Sequence, residues 1–364
     1  MAEAGSSKRE GKGDAARLLL AAARERFAVA ATDLLLPDQA RLSEWQRLTA
    51  ASLLNRLVRT IEDELRTRLA ARFEAEEALH AALSSAHVPI ALPILERASA
   101  LRDPELSTIL VRRVEEHRFW KAHSSAGGDD FLSELVRDSD DDIAAEAMEL
   151  VIARSRRFDR FQEPIMARVE LPAELQHKLV WIVAASLRHY IVQQHGVGAV
   201  DAAIEEAASA LLSSYDEGSI LEARAVRLAR RLHRAGRLDG TILSRLASDG
   251  ILPFFIAGLS VLCALDYGAA WEVLADPRGR GPALLLRAAG VERDSAASIL
   301  LVLNSRGPLF SGVEGNAAAG QLELFDTIDQ GAAREVLRLW QADPTYRASV
   351  ARISTRARPA AEAA

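Results

Sequence analysis

A chain of 364 residues with 49% hydrophobic, 5% aromatic and 26% charged side chains has the make-up of a soluble, folded protein that can bury a large core without covalent or metal staples. Its lone cysteine, Cys263, excludes an intramolecular disulfide and a thiolate zinc site, which fits a reducing cytoplasm. With 45 basic against 51 acidic residues the net charge is −6, which argues against a protein that coats nucleic acid but leaves room for a local basic patch.

Alanine and leucine are abundant, β-branched and aromatic residues sparse, and the first two lose little rotamer freedom in a helix. Only four of the 45 basic residues are lysine, and nothing functional is drawn from that. In chain order, residues 1–12 are polar and of mixed charge, and the apolar run that starts at Leu18 stops at Arg24, too short for a secretory signal; a flexible tail opening onto a helix is expected. Ser43 and Gln46 have the spacing of a capping box, after which Leu54, Leu57, Val58, Ile61, Leu65 and Leu69 trace one helical stripe. Asp103-Pro104-Glu105 predicts another helix start, with a capping acid ahead of a proline whose missing N–H costs nothing there.

Between about residues 75 and 168 the predicted helices are short, with breaks at Ser84-Ser85, 102–104, 124–128 and 138–142. Residues 88–106 and 143–161 space their apolar and arginine residues alike, the logic of stacked helix pairs of the HEAT type. From Pro172 the segments lengthen, beginning with residues 175–194, and Asp201 with Glu205 and Glu206 marks a further start. Residues 251–265 are the most apolar stretch, but a spanning helix needs about 20 such residues, so a buried core helix is expected. No alternating run bounded by hairpin turns asks for a sheet. The chain is therefore expected to be all-α: a HEAT-like solenoid lobe over 13–168, a helical-bundle lobe over 169–305, a Gly-rich link over 306–320, terminal helices over 321–343 and a flexible tail over 344–364.

The run from 250 to 291 carries a resemblance. Pro253-Phe254-Phe255, an apolar helix, then residues 276–281 and 284–290 follow in the order found in the C-terminal part of an alphaproteobacterial family, domain of unknown function 2336, which this stretch resembles. Residues 88–106 are similar to that family's N-terminal HEAT-like repeats, and the repeats fade around 113–130. The likeness, over roughly residues 40–305, implies an all-helical, repeat-containing fold and brings no catalytic residue to any position.

Constellations that could carry chemistry fail one by one. Asp138, Asp140, Asp142 and Glu149 match positions 1, 3, 5 and 12 of a calcium loop, but Ile143 stands where a sharp turn requires glycine, so acids at a helix start are the reading kept. Of the eight histidines, the tightest pairs, His117/His123 and His189/His195, are six apart, a rotation of about 240° on a helix that separates their side chains. Gly258-Leu259-Ser260 lacks the second glycine of a nucleophile elbow, Gly196-Val197-Gly198 lacks a surrounding βαβ unit, and Cys263 sits among apolar residues as a small hydrophobe. No catalytic residue, metal ligand or cofactor site is assigned.

One surface signal remains. On a helix from about 220 to 238, Arg224, Arg227, Arg231 and Arg234 share an arc with Arg230 and Arg237 beside it, opposite Leu221, Ala225, Leu228 and Leu232. Guanidinium forks suit carboxylate or phosphate. The expected function is a non-enzymatic, cytoplasmic protein–protein interaction module, regulatory or scaffolding, that binds an acidic or phosphorylated protein and no membrane. The alternative is nucleic-acid or anion binding on the same helix, and the competing structural reading is a solvated face paired with nearby acids. Arg154, Arg156, Arg157 and Arg160 form a second cluster with the same ambiguity.

Overall fold

The computed structural model describes residues 42–85, 88–123, 130–276, 279–305, 317–343, 345–347 and 349, and every regular element among them is a helix. The tail at 1–12, the break at 124–128, His87, most of the 306–320 link and nearly all of the 344–364 tail lie outside the described residues.

The first helix, α1 (Glu44–Arg72), begins where the capping box places it: the Ser43 hydroxyl accepts from the Gln46 N–H (3.2 Å), and Gln46 Oε1 accepts from the Ser43 N–H (2.7 Å). Its stripe, Leu53, Leu57, Val58, Ile61, Leu65 and Leu69, is fully buried, with Leu54 at its margin. Glu62 and Arg66 share that buried face. Glu62 accepts from the N–H groups of Ile90 and Ala91 at the start of α3 (Ala91–Arg97), while Arg66 donates to the carbonyls of Ala82, Leu83, Ser85 and Val88 around the end of α2 (Glu77–Ser84). This pair satisfies the orphan backbone groups of two short helices and clamps their connection.

Helix α4 (Pro104–His123) starts on Asp103, whose Oδ1 accepts from the N–H groups of Glu105 and Leu106. Then come α5 (Phe131–Leu135), α6 (Asp141–Ser155), α7 (Ala173–His195), α8 (Asp201–Leu212), α9 (Leu221–Arg234), α10 (Gly240–Ser248), α11 (Leu252–Cys263), α12 (Tyr267–Leu274), α13 (Gly281–Ala288), α14 (Arg293–Asn304), α15 (Ala317–Thr327) and α16 (Gln330–Leu337).

Buried side chains divide into two cores, and neither is contiguous in sequence. The first gathers α1 to α3 and the first half of α4 with Met166, Leu171, α7 and α8; the second gathers Phe119 near the end of α4, α5, α6 and α9 to α16. The expected boundary at 168 thus falls inside the first core, between Met166 and Leu171. Within that core α1 touches α2, α3, α4, α7 and α8, the last two more than 100 residues downstream, so the described helices surround a long central one where a neighbour-to-neighbour stack was expected. The physical reason is the length of α1, whose apolar stripe is longer than a single short partner can cover.

The second core is built on α11, with Leu252, Phe254, Phe255, Ile256, Ala257, Leu259 and Cys263 all buried, as its unbroken apolar sequence requires. No single helix among the described residues is long and apolar enough to cross a membrane; α11 and α12 together approach that composition but are bent by 105°. Close packing here demands one glycine: a Cβ on Gly281 would overlap the Val273 carbonyl at the end of α12.

Candidate functional site

The arginine-bearing helix forms as predicted, although it is shorter: α9 ends at Arg234, and Gly236, at φ +66°, turns the chain so that Arg237 lies beyond it. Leu221, Ala225, Leu228, Ala229 and Leu232 face the core, and α9 packs against α6 in the antiparallel sense. That apposition consumes most of the strip. Arg224 and Arg227 reach Glu149 (3.0 and 3.4 Å), Arg231 reaches Glu146 (3.0 Å) and Asp142 (2.5 Å), and Arg237 reaches Asp138 (2.6 Å). The hydrogen bond from Arg237 holds the Asp138 carboxyl below the usual carboxylate range, and the one to Glu146 raises the Arg231 guanidinium above its own. Arg230 and Arg234 are exposed and form no ion pair with another described residue.

The residues of the apparent calcium loop are therefore an ion-pair seam. Asp138, Asp142 and Glu149 serve arginines, and Asp140 caps α6 by accepting from the N–H groups of Asp142 and Ile143. No group of His, Cys, Asp and Glu able to hold a metal ion occurs among the described residues. The second arginine cluster disperses: Arg154 pairs with Asp130 (2.6 Å), Arg156 is exposed, Arg160 lies over the Phe161 ring, and Arg157 is buried.

Arg157 leads to a site that the sequence reading missed, where the two cores meet. Its Nη1 donates to Glu116 (2.8 Å), its Nη2 to Glu222 at the start of α9 (2.6 Å), and its Nε lies 3.5 Å from Glu170, which also pairs with Arg113. Burial lowers the pKa of a guanidinium, yet the three surrounding carboxylates hold Arg157 above its ordinary value. Burial pushes the Glu116 carboxyl up, whereas Arg157 and Arg113 outweigh burial at Glu222 and bring it down. Arg112, above the rings of Tyr267 and Trp271, completes the cluster; the Tyr267 hydroxyl is shut off from water without a partner among the described residues, and burial raises its pKa strongly. Three arginines and three glutamates balance in charge.

Beside the cluster lies a slot walled by Trp120, Leu150, Phe158, Pro164, Pro253 and Phe254, with Arg113, Glu116, Arg157 and His117 along its inner edge. Gly250, at φ +69°, closes it from below, and a Cβ there would press on the Trp120 backbone at 3.3 Å. His117 is 2% exposed, and neither ring nitrogen has a partner among the described residues. The sequence held one clue: in the middle of α4 the run Arg112-Arg113-Val114-Glu115-Glu116 puts charge beside the apolar stripe of Leu106, Leu110 and Val114 on positions that turn towards the interior.

The fold and its sites define an all-helical bacterial protein of two interlocked cores joined by a buried ionic cluster. Residues 90–338 match the family described as uncharacterised protein conserved in bacteria (DUF2336), and the chain belongs to that family. No curated protein and no solved structure matches it.

Proposed function

We propose that the protein is a non-enzymatic interaction module of the bacterial cytoplasm, regulatory or scaffolding, whose partner is an acidic protein docking across α6 and α9. The observation that carries this reading is the outward pair Arg230 and Arg234, left without carboxylates by the seam, while Met148 and Ile152 stand 45% and 43% exposed on the outer face of α6. Free guanidiniums and exposed apolar side chains on two adjoining helices are among the usual ingredients of a protein-binding surface. Nucleic acid is the alternative occupant, and the neutralisation of four of the six strip arginines by α6 and by Asp138 just ahead of it counts against it.

The test is affinity capture with cross-linking, using wild type, Arg230→Glu/Arg234→Glu and Met148→Asp. A specific protein cross-linked to α6 or α9, and lost from both variants while their melting temperatures stay near wild type, supports the reading. Capture that both variants leave unchanged overturns it. Retention of DNA or RNA that falls steeply with salt replaces it with the alternative.

A further inference from the structure

The slot between the cores is a different matter from the α6–α9 surface. A buried neutral imidazole has one donor and one acceptor to satisfy, and folded chains rarely leave both unmet. Burial holds His117 in its neutral form. The charged groups along the same edge are already matched to one another, Arg157 to Glu116 and Glu222, and Arg113 to Glu170, so a guest with a net charge would enter unpaired. The remaining walls are apolar and largely aromatic. Trp120 and Phe158 have ring centroids 4.4 Å apart, and Trp120 lies 5.7 Å from His117. About 30 Å³ of the slot is wide enough for the centre of a water molecule. A water seeks two to four polar partners; besides His117 the edge carries Arg113 Nη1, Arg157 Nε and Glu116 Oε1, which lack hydrogen bonds among the described residues but stand inside the ion-pair cluster.

We infer that the slot is a binding site for a small, uncharged, planar aromatic molecule bearing one hydrogen-bonding group, of the phenol or indole kind. The ring packs against the Trp120–Phe158 stack, and its O–H or N–H meets the unprotonated nitrogen of His117. Half-buried Trp120, Phe158, Arg154 and Pro253 form the mouth through which it enters.

Ligand-observed NMR and calorimetry on the full chain, with indole and phenol as probes and benzoate and benzylamine as charged controls, test this. Indole or phenol binds with Kd on the order of 1 mM, fitting for so few atoms, while the charged controls do not bind. His117→Phe keeps the aromatic wall, removes the acceptor and weakens binding about tenfold. Leu150→Trp fills the slot and abolishes it. Should that variant fail to fold, a crystal soaked in indole gives the same answer by showing the ring against Trp120 or elsewhere. No binding of either probe up to about 10 mM, equal binding of the charged controls, binding unchanged in His117→Phe, or ordered water alone on His117 in the soaked crystal each overturns the assignment.

Discussion

Replacing Arg157 with methionine keeps most of the side-chain volume and removes the cation that three carboxylates surround. Two charge-assisted hydrogen bonds are lost, at 2.8 Å to Glu116 and 2.6 Å to Glu222, each worth about 1.5–3 kcal/mol. Glu170 retains Arg113, but Glu116 is left with Arg113 at 3.9 Å, beyond hydrogen-bond length. Removing one partner of a buried pair costs about 3–5 kcal/mol, so a loss of about 4 kcal/mol follows, which lowers the melting temperature by about 5 °C for a chain of this size. The deficit depends on pH with a defined sign. In the variant the folded-state pKa values of both Glu116 and Glu222 move up, so the folded protein takes up protons that the unfolded chain does not hold, and the difference from wild type shrinks as pH falls from 7 towards 5. Scanning calorimetry at both pH values measures it. The triple variant Arg157→Met/Glu116→Gln/Glu222→Gln recovers most of the loss at pH 7. A single variant within about 1 kcal/mol of wild type, or a deficit as large at pH 5 as at pH 7, would refute the view that this cluster is a buried, mutually dependent set.

Three further outcomes are expected. Gly281→Ala loses more than about 3 kcal/mol because its methyl group overlaps the Val273 carbonyl, while Gly320→Ala, whose Cβ meets nothing, is neutral or slightly stabilising; similar urea midpoints for the two would contradict the packing described. Burial pushes the Cys263 thiol up to about 12, and the group faces the Leu285 carbonyl, so a disulfide reagent at pH 8 leaves the native chain unlabelled and reacts fully only in denaturant. Burial lowers the folded-state pKa of His117 below its ordinary 6.5; its contribution is present above that value and is lost as pH falls from there through the folded-state value. His117→Phe should flatten this part of the stability profile between pH 7.5 and 5.5, as read by urea unfolding, and an unaltered slope would assign it elsewhere.

Local signals in the sequence were read well. Ser43 with Gln46 and Asp103 with Pro104 set helix starts by chemistry confined to a few neighbours, and the unbroken apolar run at 251–265 could only be a helix covered on all sides. The arginine strip was legible as a periodicity on one helix and the acids of residues 138–149 as a helix start. What joined them was not, because Arg237 and Asp138 lie 99 residues apart and nothing in either segment states that the other lies alongside. The division of the cores was hidden for a related reason: α4 reads as one helix, while its two halves serve different interiors. The imidazole of His117, without a partner among the described residues, has no sequence signature, since a histidine's hydrogen bonds depend wholly on what surrounds it.

The interleaving of the two cores bears on how the protein is made. A ribosome releases the chain from its N-terminus, and α1 emerges with nothing yet available to cover much of its stripe, because α7 and α8 follow more than 100 residues later. The leading helices must wait, exposed to chaperones and proteases, until Leu211 has left the exit tunnel, and by then α5 and α6 are themselves awaiting α9. Synthesis halted near residue 168 would leave both interiors half built, so a shortened product of that length is expected to be cleared from the cell instead of persisting as a stable fragment.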